Sequence, residues 1–258
     1  MGELTDSAWA TGVALVIGGS GGIGQAVCRV LAEGGSHVAL TYRRGREAAE
    51  VAATAVEAAG RRAEIAPLSL EEPEAVKRLV DGVAERFGGI HSVVYAAGPP
   101  VHMIPIGELT PDRWSAVIDA DVKGFFNLTW AALPHLRASK GALAAVITAA
   151  VERVPARDIM SAAPKCAIEM LVRGVAKEEG RNGVRANCVG PGWIDAGLGA
   201  QVMAEELTPE QIERIRKAIP LRRFGAARDV AEAVAFLLSS RARFITGQSL
   251  AVDGGMQL

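Results

Sequence analysis

The sequence predicts an α/β fold in which a doubly wound parallel sheet is covered by helices on both faces. Three observations lead there. Apolar runs of strand length recur along the chain, longer amphipathic stretches follow them, and the runs are continuously apolar rather than alternating. A continuously apolar strand is buried on both faces, as in a parallel sheet packed between helices. Strands that alternate with helices join by crossovers, which keep neighbours parallel. The 258 residues show no linker, low-complexity stretch or internal repeat, so a single domain over 1–258 is expected.

The elements follow in order. Val13-Ala14-Leu15-Val16-Ile17 reads as a buried strand, followed by a glycine-rich turn and a helix over 25–34. His37-Val38-Ala39-Leu40-Thr41 is the second strand, with a helix over 46–59; 64–68 is the third, with a helix over 72–87. His91-Ser92-Val93-Val94-Tyr95 is the fourth, and a helix from about 111 to 135 follows it. A strand at 144–148, a helix from about 161 to 179 and a strand at 184–189 continue the pattern. The stretch 195–218 interrupts it and reads as a helical insertion over the carboxyl edge of the sheet.

Composition narrows the partners. Lys and Arg number 28 against 29 Asp and Glu, a net charge of -1, which argues against nucleic acid or an acidic membrane surface as the main partner. No apolar run approaches the roughly 20 residues of a membrane span. The stretch 1–11 carries acidic residues and no apolar core, so no signal peptide is expected. Cys28, Cys166 and Cys188 lack metal-ligand spacing, and no metal is expected. Each lies in an apolar helix or strand context, so buried, inert thiols in a reducing compartment, the cytoplasm, are the expectation.

The first strand runs straight into Gly18-Gly19-Ser20-Gly21-Gly22-Ile23-Gly24 and then a helix. Glycines there permit positive φ and let a pyrophosphate approach the backbone at the positive end of the helix dipole. In that position the pattern reads as a dinucleotide cradle, with Gly18, Ser20, Gly22, Ile23 and Gly24 as its contacts. The second strand ends in Thr41-Tyr42-Arg43-Arg44, with no acid to bond a ribose 2′-hydroxyl. Guanidinium groups instead suit a 2′-phosphate, so Arg43 and Arg44 favour NADPH. Two solvated surface arginines are the alternative, and NADH use stays open.

The spacing Gly18-x-x-x-Gly22-x-Gly24 resembles that of the short-chain dehydrogenase/reductase family. Tyr95-Ala96-Ala97-Gly98 resembles the family's Asn-Asn-Ala-Gly, and Asn187-Cys188-Val189-Gly190-Pro191-Gly192-Trp193-Ile194 its Pro-Gly motif. Ile245-Thr246-Gly247-Gln248 through Val252-Asp253-Gly254-Gly255 resembles its carboxyl-terminal signature. The resemblance spans nearly the whole chain. It implies a Rossmann-type fold, a helical substrate lid at about 195–218, a homotetramer or homodimer, and cofactor contacts at Ala97, Gly98, Pro191, Gly192 and Ile194. Ser69 stands where relatives often carry an adenine-binding Asp.

The family's chemistry rests on a Ser, a Tyr, a Lys and an Asn. By position this sequence keeps only the lysine, Lys165, which the resemblance assigns to the nicotinamide ribose. Thr148 stands for the serine, Asp121 for the asparagine, and Ser161 for the tyrosine. A serine hydroxyl is a far weaker acid than a phenol of pKa about 10, so Ser161 cannot simply deputise. Two readings of Ser161 stand: a helix cap with Pro164 in the first turn, or a catalytic hydroxyl. Tyr95, His102, a bound water and a phenol on the substrate are the alternative proton sources. The loop after Gly98 and the lid region supply His102, Trp193, Leu198, Val202, Met203 and Leu207, a set suited to a flat hydrophobic ligand.

Among tyrosine-less members the chain resembles ketoreductases of angucyclinone biosynthesis. That resemblance implies NAD(P)H-dependent reduction of a ketone on an aromatic polyketide in antibiotic biosynthesis. A cofactor-binding sensor without turnover and a reductase of conjugated C=C bonds are the alternatives.

Overall fold

A computed structural model describes Trp9 and residues 11–258; most of the stretch 1–11 lies outside the described residues. Seven strands form one sheet: β1 (Val13–Ile17), β2 (His37–Tyr42), β3 (Ala63–Pro67), β4 (Ile90–Tyr95), β5 (Ala142–Val146), β6 (Arg185–Pro191) and β7 (Ser249–Val252). Their order is β3-β2-β1-β4-β5-β6-β7, and every pairing is parallel. The chain winds outward from β1 to β3, then crosses back to lay β4 on the other side of β1. Ligands of such sheets bind at that reversal, beyond the carboxyl ends of the strands.

Continuous apolar strands are explained by two cores. In β1, Val13, Leu15 and Ile17 join one face and Ala14 and Val16 the other, all within 2% of complete burial. One face is covered by α3 (Pro73–Phe87), α5 (Gly124–Ser139) and α6 (Ile159–Glu179); α1 (Gly22–Glu33), α2 (Arg46–Ala58) and α9 (Ala227–Leu238) cover the other. The insertion consists of α7 (Gly197–Glu206) and α8 (Pro209–Ala218). Thr208 opens α8 with a capping box closed by Gln211, and Pro209 fills the first helical position, where its missing N–H leaves nothing unpaired.

Several boundaries differ from expectation for local reasons. The helix expected from about 111 to 135 is divided: α4 (Pro111–Val117) passes through a π-helical stretch, Ile118–Lys123, before α5 begins. The fifth strand ends at Val146 rather than Thr148, because Thr148 caps a short 3₁₀ turn by accepting a bond from the Ala150 N–H. Sequence reading passed over α9 and β7 as elements, the latter because it is a four-residue edge strand with two exposed positions. The thiols of Cys28 and Cys188 are buried and pushed up to about 12 by desolvation, as expected of inert groups. Cys166 corrects that expectation: it lies on the outer face of α6 and is exposed.

Candidate active site

A cleft of about 840 Å³ opens at the reversal between β1 and β4. The turns leaving these two strands touch. Gly18 has φ +81°, and a Cβ there would come 2.7 Å from the Ala96 carbonyl oxygen. A Cβ on Gly24 would lie 2.1 Å from the Gly18 carbonyl oxygen, so the turn closes tightly onto the start of α1. At Gly22 a Cβ would meet the Gly197 nitrogen at 2.6 Å, so the insertion is seated directly on the glycine turn. The bare backbone facing the cleft at Gly21 and Gly22 fits a dinucleotide pyrophosphate, which needs close approach to N–H groups. The Ile23, Ala97 and Gly98 positions expected at the cofactor line the same cleft, as do Pro191, Gly192 and Ile194.

The floor of the cleft is a buried ionic cluster. Lys165 Nζ donates to Asp121 Oδ1 at 2.9 Å and to the Ala97 carbonyl at 3.1 Å. Its side chain is 12% exposed and that of Asp121 3%. Tyr95 Oη donates to the same Asp121 oxygen at 2.6 Å, and the Lys165 ammonium lies 4.9 Å from the Tyr95 ring centroid. The Tyr95 phenol is pushed well above its ordinary range, first by burial and then by the Asp121 charge. Fully buried and committed to Asp121, Tyr95 is excluded as the proton donor weighed in the sequence. The π-helical stretch makes this cluster possible by turning Asp121 inward from an otherwise continuous helix.

The rim is formed by the turn after β5 and the start of α6. Thr148 Oγ1 accepts from the Ala150 N–H at 3.2 Å, which leaves its own O–H to donate into the cleft it lines. Ser161 and Lys165, four residues apart, lie on one face of α6 and both line the cleft. Ser161 is not the cap: α6 starts at Ile159 with Asp158 in the N-cap position, so Ser161 is in the first turn and Pro164 inside the helix. The Ser161 N–H donates to the Asp158 carbonyl at 3.1 Å. Asp158 caps with its backbone alone. Its carboxyl makes no capping bond, lines the cleft, and is pushed up to about 6 by burial.

At the mouth, α7 is fastened to the loop after β4. Glu206 holds His102 Nδ1 at 3.2 Å and accepts from the Met103 N–H at 3.1 Å. His102 lines the cleft with a side chain 61% exposed, which places it among solvent-facing groups. Trp193, Leu198 and Val202 line the cleft, whereas Met203 is buried behind α7 and Leu207 lies outside the lining. The carboxyl-terminal residues Met256, Gln257 and Leu258 close one side, a contribution with no local signal in the sequence.

Gly18, Ser20 and Gly24 shape the turn without lining the cavity, and Ser69 is exposed after β3. Arg43 and Arg44 are exposed at the end of β2; Arg43 leans 3.4 Å from Glu71, and Arg44 has no side-chain partner among the described residues. No helix among the described residues is long and apolar enough to cross a membrane.

Comparison with known proteins agrees with this architecture. A family model described as enoyl-(acyl carrier protein) reductase matches residues 18–257. A 3-oxoacyl-[acyl-carrier-protein] reductase of Staphylococcus aureus is 33% identical over 249 residues, 95% of this chain and 98% of the relative. A versicolorin reductase of Emericella nidulans is 34% identical over 251 residues, 94% of each chain. Among solved structures, a short-chain dehydrogenase/reductase from Mycobacterium ulcerans aligns with TM-score 0.90 and 28% identity, over 96% of this chain and 90% of that one. A short-chain dehydrogenase from Burkholderia cenocepacia in complex with NADP aligns with TM-score 0.85 and 33% identity, over 96% and 98%. With a glycine cradle at the sheet reversal, a lysine under it and relatives matched along almost their whole length, the chain belongs to the short-chain dehydrogenase/reductase family of oxidoreductases.

Proposed function

We propose that this chain is an NADPH-dependent ketoreductase acting on an aromatic polyketide of the angucyclinone type, in antibiotic biosynthesis, without a tyrosine proton donor. The likeness to the ketoreductase of simocyclinone biosynthesis motivates the substrate. The observation that carries the reaction class is the joint presence of the cradle, Lys165 and Thr148 around one cleft, with Ser161 where a phenol would stand. When bound, the reduced nicotinamide supplies hydride to the carbonyl carbon. An ammonium has three N–H donors; Asp121 and Ala97 take two of those on Lys165, and the third is left for a ribose hydroxyl. Thr148 donates its hydroxyl to the substrate oxygen, and the apolar wall of Trp193, Leu198 and Val202 receives a flat ring system. The helices α7 and α8 act as the lid that excludes water.

Arg43 and Arg44 hold the 2′-phosphate of NADPH. Changing both to Asp is expected to weaken NADPH at least tenfold more than NADH in a fluorescence titration; equal losses would remove the assignment. Exposed Phe126 and Trp130 on α5 and Met170 on α6 supply apolar surface for pairing as a homodimer or homotetramer. The reaction itself is tested by mixing the protein with NADPH and phenol-bearing polycyclic ketones and following nicotinamide absorbance and alcohol formation. One specific observation favours a second reading, reduction of a conjugated C=C: the matched family model is described as an enoyl reductase. Saturation of an enone with its ketone intact would select that reading.

A further inference from the structure

Replacing a phenol by Ser161 removes an acid but leaves the need for one. At the same rim, one helical turn before Ser161, stands a carboxyl group with unusual surroundings. Asp158 lies in the N-cap position of α6, where an Asp side chain ordinarily accepts bonds from the first helical N–H groups. Here its backbone carbonyl takes the bonds from Ser161 and Ala162 at 3.1 and 2.9 Å, and the side chain makes none. No other side chain or backbone group among the described residues bonds or pairs with the carboxyl. It is half-buried, and it lines the cleft together with Thr148, Ser161 and Lys165.

The charged groups at this end of the cleft do not neutralise it. Lys165 is committed to Asp121 on the floor, Arg153 on the preceding loop is exposed, and His102 at the mouth is held by Glu206. An unpaired carboxyl in partly desolvated surroundings favours its neutral form, which is the form that donates a proton. Burial pushes Asp158 up to about 6, close to the pH at which a general acid works best in neutral solution.

We propose that Asp158 is the general acid of this active site, giving its carboxyl proton to the substrate oxygen in place of the phenol that position 161 lacks. This rests on the carbonyl-reduction reading above. The electron count closes: the carbonyl carbon gains hydride from reduced nicotinamide, the C=O π pair moves onto oxygen, and that oxygen takes the proton from Asp158. The substrate leaves as an alcohol and the dinucleotide oxidised, and the Asp158 carboxylate recovers a proton from water at the open rim. Thr148 holds the same oxygen through its hydroxyl and loses no proton.

The test uses the full chain with Asp158→Asn and Asp158→Glu. Turnover is measured against pH on polycyclic ketones with and without a phenol beside the carbonyl. NADPH affinity and thermal stability at acid and alkaline pH are measured in parallel. In the unaltered protein, kcat should fall as pH rises past the titration of the acid. Asp158→Asn should lower kcat on the order of a hundredfold or more, abolish that fall, and leave the NADPH dissociation constant within twofold. Asp158→Glu should recover part of kcat. Asp158→Asn should also raise the melting temperature at pH 8 and leave it unchanged at pH 4, a readout that requires no turnover.

Retention of kcat within threefold by Asp158→Asn overturns the proposal and leaves carbonyl reduction standing. Reduction confined to phenol-bearing ketones and indifferent to Asp158 overturns it too, and assigns the proton to the substrate. If the unaltered protein reduces no ketone, the reaction reading fails and the acid role falls with it.

Discussion

Asp121 on the floor of the cleft and Asp158 on its rim stand within one active site and are treated in opposite ways. Asp121 is almost completely enclosed, and one of its oxygens receives both the Lys165 ammonium and the Tyr95 hydroxyl. Asp158 keeps contact with solvent, and its carboxyl has no partner among the described residues. The fully enclosed carboxylate is therefore the structural one, because its charge is balanced by Lys165 and the Tyr95 hydroxyl donates to the same oxygen. The partly enclosed one is left chemically available. Burial alone does not mark a reactive group; burial without compensation does.

Breaking the floor should produce the largest effect. Asp121→Leu leaves the Lys165 ammonium buried without its counter-charge and Tyr95 without its acceptor, at a cost of about 3–5 kcal/mol in urea unfolding. Adding Lys165→Met should return much of that loss, since a well-packed apolar pair can replace a buried ion pair at little cost. If the single change is mild, the floor is more hydrated than its geometry implies. Tyr95→Phe keeps the ring over Lys165 and removes only the donor to Asp121, for about 2 kcal/mol in the same measurement.

The rim responds differently. The Asp158 carboxyl is raised from 3.8 to about 6, so between those values the unfolded chain has shed a proton that the folded chain retains. Fewer protons on the unfolded state means that stability falls as pH rises through this window and is level above it. The fall should be about 1–2 kcal/mol once partial solvent contact is allowed for, and Asp158→Asn should erase it in a series of melts from pH 4 to pH 8. Ser161→Ala should have the smallest effect, under about 0.5 kcal/mol, because Ser161 does not cap α6. A loss of 1 kcal/mol or more would return it to a capping role.

Legibility in the sequence divides along the same line. The turn Gly18 to Gly24 and the strands around it announce themselves because each depends on residues adjacent in the chain, whereas Lys165 stands out only through its position in the family resemblance. The floor was legible only in part. Asp121 was recognised as a departure, but its pairing with Tyr95 joins residues 26 apart, and a π-helical stretch brings them together. The rim was concealed by a misleading local signal. Ser161 followed by Pro164 reads as a cap and first turn, whereas α6 starts at Ile159 with Asp158 in the N-cap position, its carbonyl taking the capping bonds and its carboxyl making none. Met203 failed for a simpler reason: both sides of α7 carry apolar residues, and periodicity does not say which side meets the cleft.

The π-helical stretch Ile118–Lys123 also fixes the angular phase of everything on either side of it. One residue of a regular α-helix corresponds to about 100° of rotation. Deleting a single residue there would straighten the helix and swing α4 by roughly that angle relative to α5. Asp121 could then reach Lys165, or Phe125 could stay in the core, but not both. The active site is thus sensitive to a change in chain length at a place where every individual side chain could be kept.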